Sequence, residues 1–93
     1  MSQHLYRRVL QHFGDAAQIQ QTMAECGELI TALSHYFASG RGTAADVATE
    51  IADVEIMCAQ MRMIVGSELV DLEKVEKLAQ LQALLADEEQ RAI

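Results

Sequence analysis

The 93-residue sequence contains no proline and no tryptophan, and it has only two cysteines, two phenylalanines and two tyrosines. Without proline, no position in the chain is forced to break a helix. Two cysteines are too few for the disulfide framework of a small secreted domain. Because 51% of the residues are hydrophobic, a disordered chain is not expected either. The composition therefore favours a packed, all-α protein.

Basic residues are also few, with seven Lys and Arg against 14 Asp and Glu and a net charge of −7. Nucleic acids and anionic lipids are bound through basic patches, so neither is an expected partner. No apolar run approaches the ~20 residues of a membrane-spanning helix, and Arg7 and Arg8 interrupt the one N-terminal stretch that could act as a signal peptide. Cys26 and Cys58 lie in apolar stretches and are predicted to be reduced packing residues in the cytoplasm. Cations are the expected ligands.

Glycines divide the chain into four predicted helices. The dividing residues are Gly14, the pair Gly40 and Gly42, and Gly66. The predicted helices cover residues 2–13, 15–38, 43–65 and 68–86. We expect a single domain, residues 1–93, that forms an antiparallel four-helix bundle. A chain this short buries only about 60% of the surface of its unfolded form, so we also expect a partner subunit.

Three of the predicted helices begin with capping signals. Asp15 and Gln18 form a capping-box pattern, and Thr43 with Asp46 in the first turn marks the start of the third helix. Ser67 is the predicted cap of the fourth helix. These signals support the division into helices.

The two central helices each carry an apolar stripe that is expected to face the core, at ~100° per residue. The stripe of the second helix comprises Ile19, Met23, Cys26, Ile30, Leu33 and Phe37, and that of the third comprises Val47, Ile51, Val54, Cys58, Met61 and Val65. A second apolar line lies nearly opposite on the third helix, at Ala45, Ala52, Ile56, Ala59 and Met63. In so short a chain this second line favours a subunit interface.

Four acidic residues, Glu25, Glu28, Glu50 and Asp53, lie on or beside these stripes. The acids of each pair are three residues apart and are neighbours on one helix surface. An unpaired carboxylate beside the core would cost several kcal/mol or take up a proton. One such pair is usually a solvated helix face, but two pairs on consecutive helices favour a shared divalent cation.

The identity of the metal follows from the residues that are absent. No histidine stands three positions after a glutamate, as a di-iron bundle would require, and the cysteines are assigned to packing rather than to zinc. A set made only of carboxylates favours Mg²⁺ or Mn²⁺. Magnesium bound in this way usually serves the phosphates of a substrate.

The pattern Glu25-x-x-Glu28 followed by Glu50-x-x-Asp53 resembles the ExxE…ExxD signature of the MazG-like all-α nucleoside triphosphate pyrophosphohydrolases, relatives of the dimeric dUTPases. The stretches AQIQQTMAECGELITAL and TEIADVEIMCAQMRMI are similar to the two central helices of small single-domain members, and VEKLAQL is similar to their fourth helix. The resemblance covers about residues 15–85.

The resemblance implies an enzyme that uses Mg²⁺ to cleave an NTP or dNTP between the α and β phosphates, as a homodimer or homotetramer. It implies that the four motif acids hold the metal and that one of the glutamates orients or deprotonates the attacking water. Gln18 and Lys77 match positions near the nucleotide, although a capping role and a solvated lysine are the alternatives. Members often have an acid where this chain has Ala24, and a basic residue where it has Gln80.

These departures keep a second function open, a catalytically degenerate helical module that binds metal and nucleotide and forms oligomers. A third alternative is an acidic, partner-binding bundle that needs no metal. Arg41 lies between two glycines. It either closes over the phosphates of a nucleotide or is only a solvent-exposed residue of the turn, and the sequence favours the second role.

Overall fold

A computed structural model describes residues 2–92, and this part of the chain contains helices and no strand. The helices are α1 (Ser2–Phe13), α2 (Asp15–Leu33), α3 (Ala44–Val65) and α4 (Ser67–Arg91). A π-helical turn, Ser34–Ser39, continues α2. The all-α prediction is confirmed. Across residues 2–92, every helix is too short or too polar to cross a membrane.

The helix ends differ from the predictions in two places. The second helix extends to Ser39, but its last six residues widen into the π-helical turn. α4 continues to Arg91, well beyond the predicted end at residue 86. No glycine interrupts this last segment, and Glu88 and Arg91 form an ion pair one turn apart on it (3.6 Å).

The predicted capping box at the start of α3 is present. The Thr43 hydroxyl accepts a hydrogen bond from the Asp46 N–H (3.2 Å), and the Asp46 carboxylate accepts one from the Thr43 N–H (2.9 Å). The Asp46 N–H also donates to the Thr43 backbone carbonyl (3.1 Å), whereas the N–H of Thr43, the residue before the helix, is satisfied by the Asp46 carboxylate. This box fixes the point at which the chain leaves the loop and begins α3.

The other two predicted caps are wrong. α2 and α4 begin directly after Gly14 and Gly66, which have positive φ angles of 90° and 110° and no side-chain cap. Asp15 and Ser67 are therefore already the first helical residues. Glycine tolerates these backbone angles, so the chain can start a new helix without a separate capping residue.

Replacing Thr43 with Ala is expected to lower the free energy of unfolding by about 1 kcal/mol, because the Asp46 N–H loses its side-chain acceptor and keeps only the Thr43 backbone carbonyl. Urea denaturation at a fixed protein concentration measures the change. Thr49→Ala is the matched control, since the Thr49 hydroxyl only donates to the Ala45 carbonyl within the same helix (3.0 Å). The control should be neutral or stabilising. Equal losses in both variants would show that the box does not stabilise α3.

α2 and α3 form an antiparallel hairpin, and α1 packs against both of them. On α3 the buried residues are Val47, Met57 and Gln60, and Glu50 and Asp53 are half-buried on the same side. On α2 the side turned towards α3 carries the half-buried residues Gln18, Thr22, Glu25, Leu29 and Ala32. This inner side is polar or small at most positions.

The predicted core stripe of α2 is wrong within the single chain. Its six residues are all exposed, with Ile30 68% and Phe37 74% accessible. They are centred about 100° around the helix from the side that meets α3. We call these residues, Ile19, Met23, Cys26, Ile30, Leu33 and Phe37, the outer face of α2. No element of the described chain packs over this face, which is why its large side chains stay uncovered.

The stripes predicted on α3 are only partly correct. Val47 is buried and Val54 and Met61 are half-buried, whereas Ile51, Cys58 and Val65 are exposed. In the second apolar line, Ala59 and Met63 are half-buried, and Met63 shares a surface cavity with Arg7 and Leu10 of α1. Part of the predicted subunit interface therefore lies beside α1 of the same chain.

α4 extends away from the other helices. Val70 is its one half-buried residue, and every residue from Asp71 to Ala92 is exposed. The radius of gyration is 17.0 Å, against about 12 Å for a compact chain of this length. A single chain therefore does not close the predicted four-helix bundle.

Candidate metal centre

Three of the four predicted acids converge between α2 and α3. Glu25, Glu28 and Glu50 each offer a carboxylate oxygen, and these three oxygens lie within 4.8 Å of one another. Glu25 and Glu50 are half-buried, and Glu28 is exposed. The spacing of three residues places the first two acids on adjacent turns of α2, and α3 brings Glu50 to them from the other side of the hairpin.

Two carboxylate oxygens in this cluster are buried without a partner. Glu25 Oε2 and Glu50 Oε2 have no hydrogen-bond donor in the described chain. The other oxygen of Glu25 accepts a hydrogen bond from the Gln21 side-chain amide (2.7 Å), which fixes the orientation of this carboxylate. A buried carboxylate oxygen without a donor is unfavourable, and a cation would satisfy it. Three oxygen ligands of this kind fit a hard divalent ion such as Mg²⁺.

Asp53 is half-buried but lies outside this group of three. It is one turn further along α3 from Glu50. Three carboxylates leave coordination positions of an octahedral ion open for water and for phosphate oxygens. The arrangement is thus more open than the four-acid cage that the sequence predicts.

A cavity of about 620 Å³ adjoins the acid cluster. Its volume is in the range of small-molecule sites, about 300–1,000 Å³. The lining residues are Ala24, Gly27, Glu28, Thr31, Ala32, His35, Arg41, Gly42, Asp46 and Glu50. Acidic residues and Arg41 therefore line one cavity, and Ala24 contributes a small apolar wall where an acid would narrow it.

The chain forms this cavity by the way it ends α2. The π-helical turn Ser34–Ser39 leads into Gly40, which has a left-handed conformation with φ 67°. The His35 carbonyl accepts the Arg41 N–H (2.9 Å), and the Arg41 side chain donates to the Ser39 hydroxyl (3.3 Å). π-helical turns are rare and are frequent at functional sites. The sequence does not predict this turn or the place of His35. The position of Arg41 between Gly40 and Gly42 is the sequence signal that points to this part of the cavity.

The remaining predicted residues lie elsewhere. Gln18 is half-buried on the inner side of α2 and Lys77 is exposed on α4, and neither lines the cavity. Cys26 and Cys58 are free and exposed, so the prediction that they pack in the core is wrong for the single chain. Neither cysteine is part of the acid cluster.

No protein-family model, no curated protein and no solved structure matches this chain. The MazG-like resemblance therefore stays an expectation that depends on the motif residues themselves. Glu25, Glu28 and Glu50 converge between α2 and α3, and Asp53 lies one turn from Glu50 on α3.

Proposed function

We propose that this protein is a Mg²⁺-dependent nucleoside triphosphate pyrophosphohydrolase of the MazG-like type. The observation that carries the proposal is the convergence of Glu25, Glu28 and Glu50 beside a cavity that also holds Arg41. A metal-bound triphosphate needs oxygen ligands for the cation and a basic group for its remaining charge. Both kinds of group are available here in one cavity.

In this proposal Glu25, Glu28 and Glu50 hold Mg²⁺ or Mn²⁺. When bound, the cation supplies charge neutralisation to the phosphate oxygens. Gln21 keeps the Glu25 carboxylate in position, and Arg41 is available to the phosphates. The half-buried positions of Glu25 and Glu50 limit their contact with bulk water, which strengthens electrostatic interactions in the site.

The reaction is the attack of water on the α phosphorus. The bond from this phosphorus to the α–β bridging oxygen breaks, and the products are the nucleoside monophosphate and pyrophosphate. The proton of the attacking water goes to a glutamate of the cluster. Glu28 is the best candidate, because its carboxylate is exposed and lines the cavity.

The second candidate function is a degenerate module that binds metal and nucleotide without hydrolysis. The position of Asp53 outside the group of three favours this alternative, because one motif acid is missing from the immediate ligand set. Ala24 in the cavity wall adds to it, since it removes an acid that could hold a second ion. In either case the homodimer or homotetramer implied by the resemblance would complete the bundle.

A panel of dNTPs and NTPs separates the two candidates. With Mg²⁺ the enzyme is expected to release pyrophosphate and the monophosphate in equal amounts from at least one nucleotide, and EDTA should stop the reaction. Calorimetry on the same panel measures binding. Binding without product would favour the module, and folded protein that turns over no nucleotide would contradict the enzymatic proposal.

A further inference from the structure

One side of α4 is apolar along most of its length and has no partner in the described chain. Leu72 and Val75 are 69% and 67% accessible, and Leu78 and Leu85 continue the same side. The four residues are three, three and seven positions apart, so at ~100° per residue they fall within about 140° on one side of the helix. A helix of this kind gains most of its stability by packing its apolar side.

The surface area shows how much packing is missing. The chain exposes 7239 Å², whereas a compact monomer of its mass, 10.3 kDa, would expose about 5,400 Å². The excess is roughly 1,900 Å², which is more than the ~800 Å² that each partner buries in a standard interface. It is the size expected for an obligate subunit interface.

α4 cannot cover the outer face of its own α2. Gly66 is the only residue between α3 and α4, and helices that fold back on each other usually need about 2–8 connecting residues. Arg62 also ties the two helices together, with its guanidinium 2.7 Å from the Asp71 carboxylate and 3.4 Å from the Ser67 hydroxyl. These surface contacts favour the outward direction of α4.

The outer face of α2 matches the apolar side of α4. The face runs from Ile19 to Phe37, about 27 Å along the helix, and the stripe from Leu72 to Leu85 is about 20 Å long. The outer face is also centred about 180° around α2 from Glu28. A helix packed on it would therefore leave the acid cluster and its cavity open.

We propose that α4 of one copy packs along the outer face of α2 in a second copy, and that two copies exchange their α4 helices reciprocally. The exchange buries both unpartnered apolar surfaces at once and closes a helical bundle that one chain cannot form. It goes beyond the proposed catalytic function and does not depend on it.

Disulfide crosslinking tests this arrangement, because Cys26 lies near the middle of the outer face and Leu78 near the middle of the α4 stripe. Because both positions are near the middle of their stripes, they meet whether α4 runs parallel or antiparallel to α2. The test protein carries Cys58→Ser and Leu78→Cys. The first control carries Cys58→Ser alone and keeps only Cys26. The second control adds Cys26→Ser to the test protein, so that its only cysteine is at position 78. The third control replaces Leu78→Cys with Gln80→Cys, which lies on the opposite side of α4.

After mild oxidation the test protein is expected to run mainly as a covalent dimer on a non-reducing gel, with roughly a tenth as much dimer in each control, because a disulfide needs Cα atoms within about 7 Å. Equal crosslinking through Cys26 alone would show that the outer faces pair with each other. Equal crosslinking through Leu78→Cys alone would show that α4 pairs with α4. Either result overturns the exchange.

Light scattering provides a second measurement that needs no crosslink. The unmodified protein should have about twice its chain mass of 10.3 kDa, or a multiple of that dimer. Leu78→Glu should shift it to the single-chain mass, and Gln80→Glu should not. A monomeric unmodified protein, or an unchanged mass in Leu78→Glu, contradicts the proposal. Pyrophosphate release is assayed separately, so failure of the exchange and failure of the catalytic proposal are distinguishable.

Discussion

Replacing Glu50 with Gln is expected to lower the rate of pyrophosphate release by roughly 100-fold or more, because a neutral amide replaces a charged ligand in a site that works by electrostatic stabilisation. Glu50 is the only cluster residue supplied by α3, so the change also removes the link between the two helices through the cation. The rate with the best nucleotide of the panel, at saturating Mg²⁺, is the measurement.

Glu55→Gln is the matched control for this variant. Glu55→Gln makes the same chemical change on α3, but Glu55 is exposed and is not one of the three clustered acids. The melting temperature in EDTA should be equal to or higher in Glu50→Gln than in the unmodified protein, since the mutation removes one of three like charges and a buried oxygen without a donor. A folded Glu50→Gln protein with an unchanged rate would rule out a ligand role for Glu50.

Adding Mg²⁺ is expected to raise the melting temperature strongly. A ligand that binds only the folded protein contributes about 2.7 kcal/mol at 100 times its Kd, which corresponds to roughly 10–20 °C for a chain of this size. The ion would neutralise three carboxylates that lie within 4.8 Å of one another. Thermal unfolding with EDTA and with increasing Mg²⁺, at one protein concentration, measures the shift.

The shift should disappear in Glu25→Gln and remain in Glu73→Gln, which changes an exposed acid on α4. The second comparison controls for a general effect of salt on an acidic chain, because such an effect would remain in both variants. A melting temperature that is the same in EDTA and in Mg²⁺ would favour an acidic, partner-binding bundle that needs no metal.

The helices were largely predictable because their signals are local. Gly14 and Gly66 separate helices at the predicted places, and the Thr43–Asp46 capping box involves residues only three apart. The two missed caps have a local reason as well, since glycine can begin the next helix without help from the residue after it. The π-helical turn was not predictable, because its widening is not encoded in any capping or periodicity signal.

The faces of the helices were less predictable. An apolar stripe indicates that a face will be buried, but not which element buries it. On α2 the stripe around Ile30 is uncovered, and the hairpin instead uses the side of Glu25 and Ala32. The cluster of Glu25, Glu28 and Glu50 forms because of this choice, since the acids would face solvent if the outer face were turned towards α3.

The sequence by itself determined the all-α class, the division into four helices and the pairs of acids three residues apart, because each depends on neighbours along the chain. Only the tertiary structure decided that Glu50 meets Glu25 and Glu28 while Asp53 lies outside the group, that Arg41 lines the cavity, and that α4 is exposed from Asp71 to Ala92 in the described chain. These features depend on how one helix is rotated against another, and that rotation is set by packing between residues far apart in sequence.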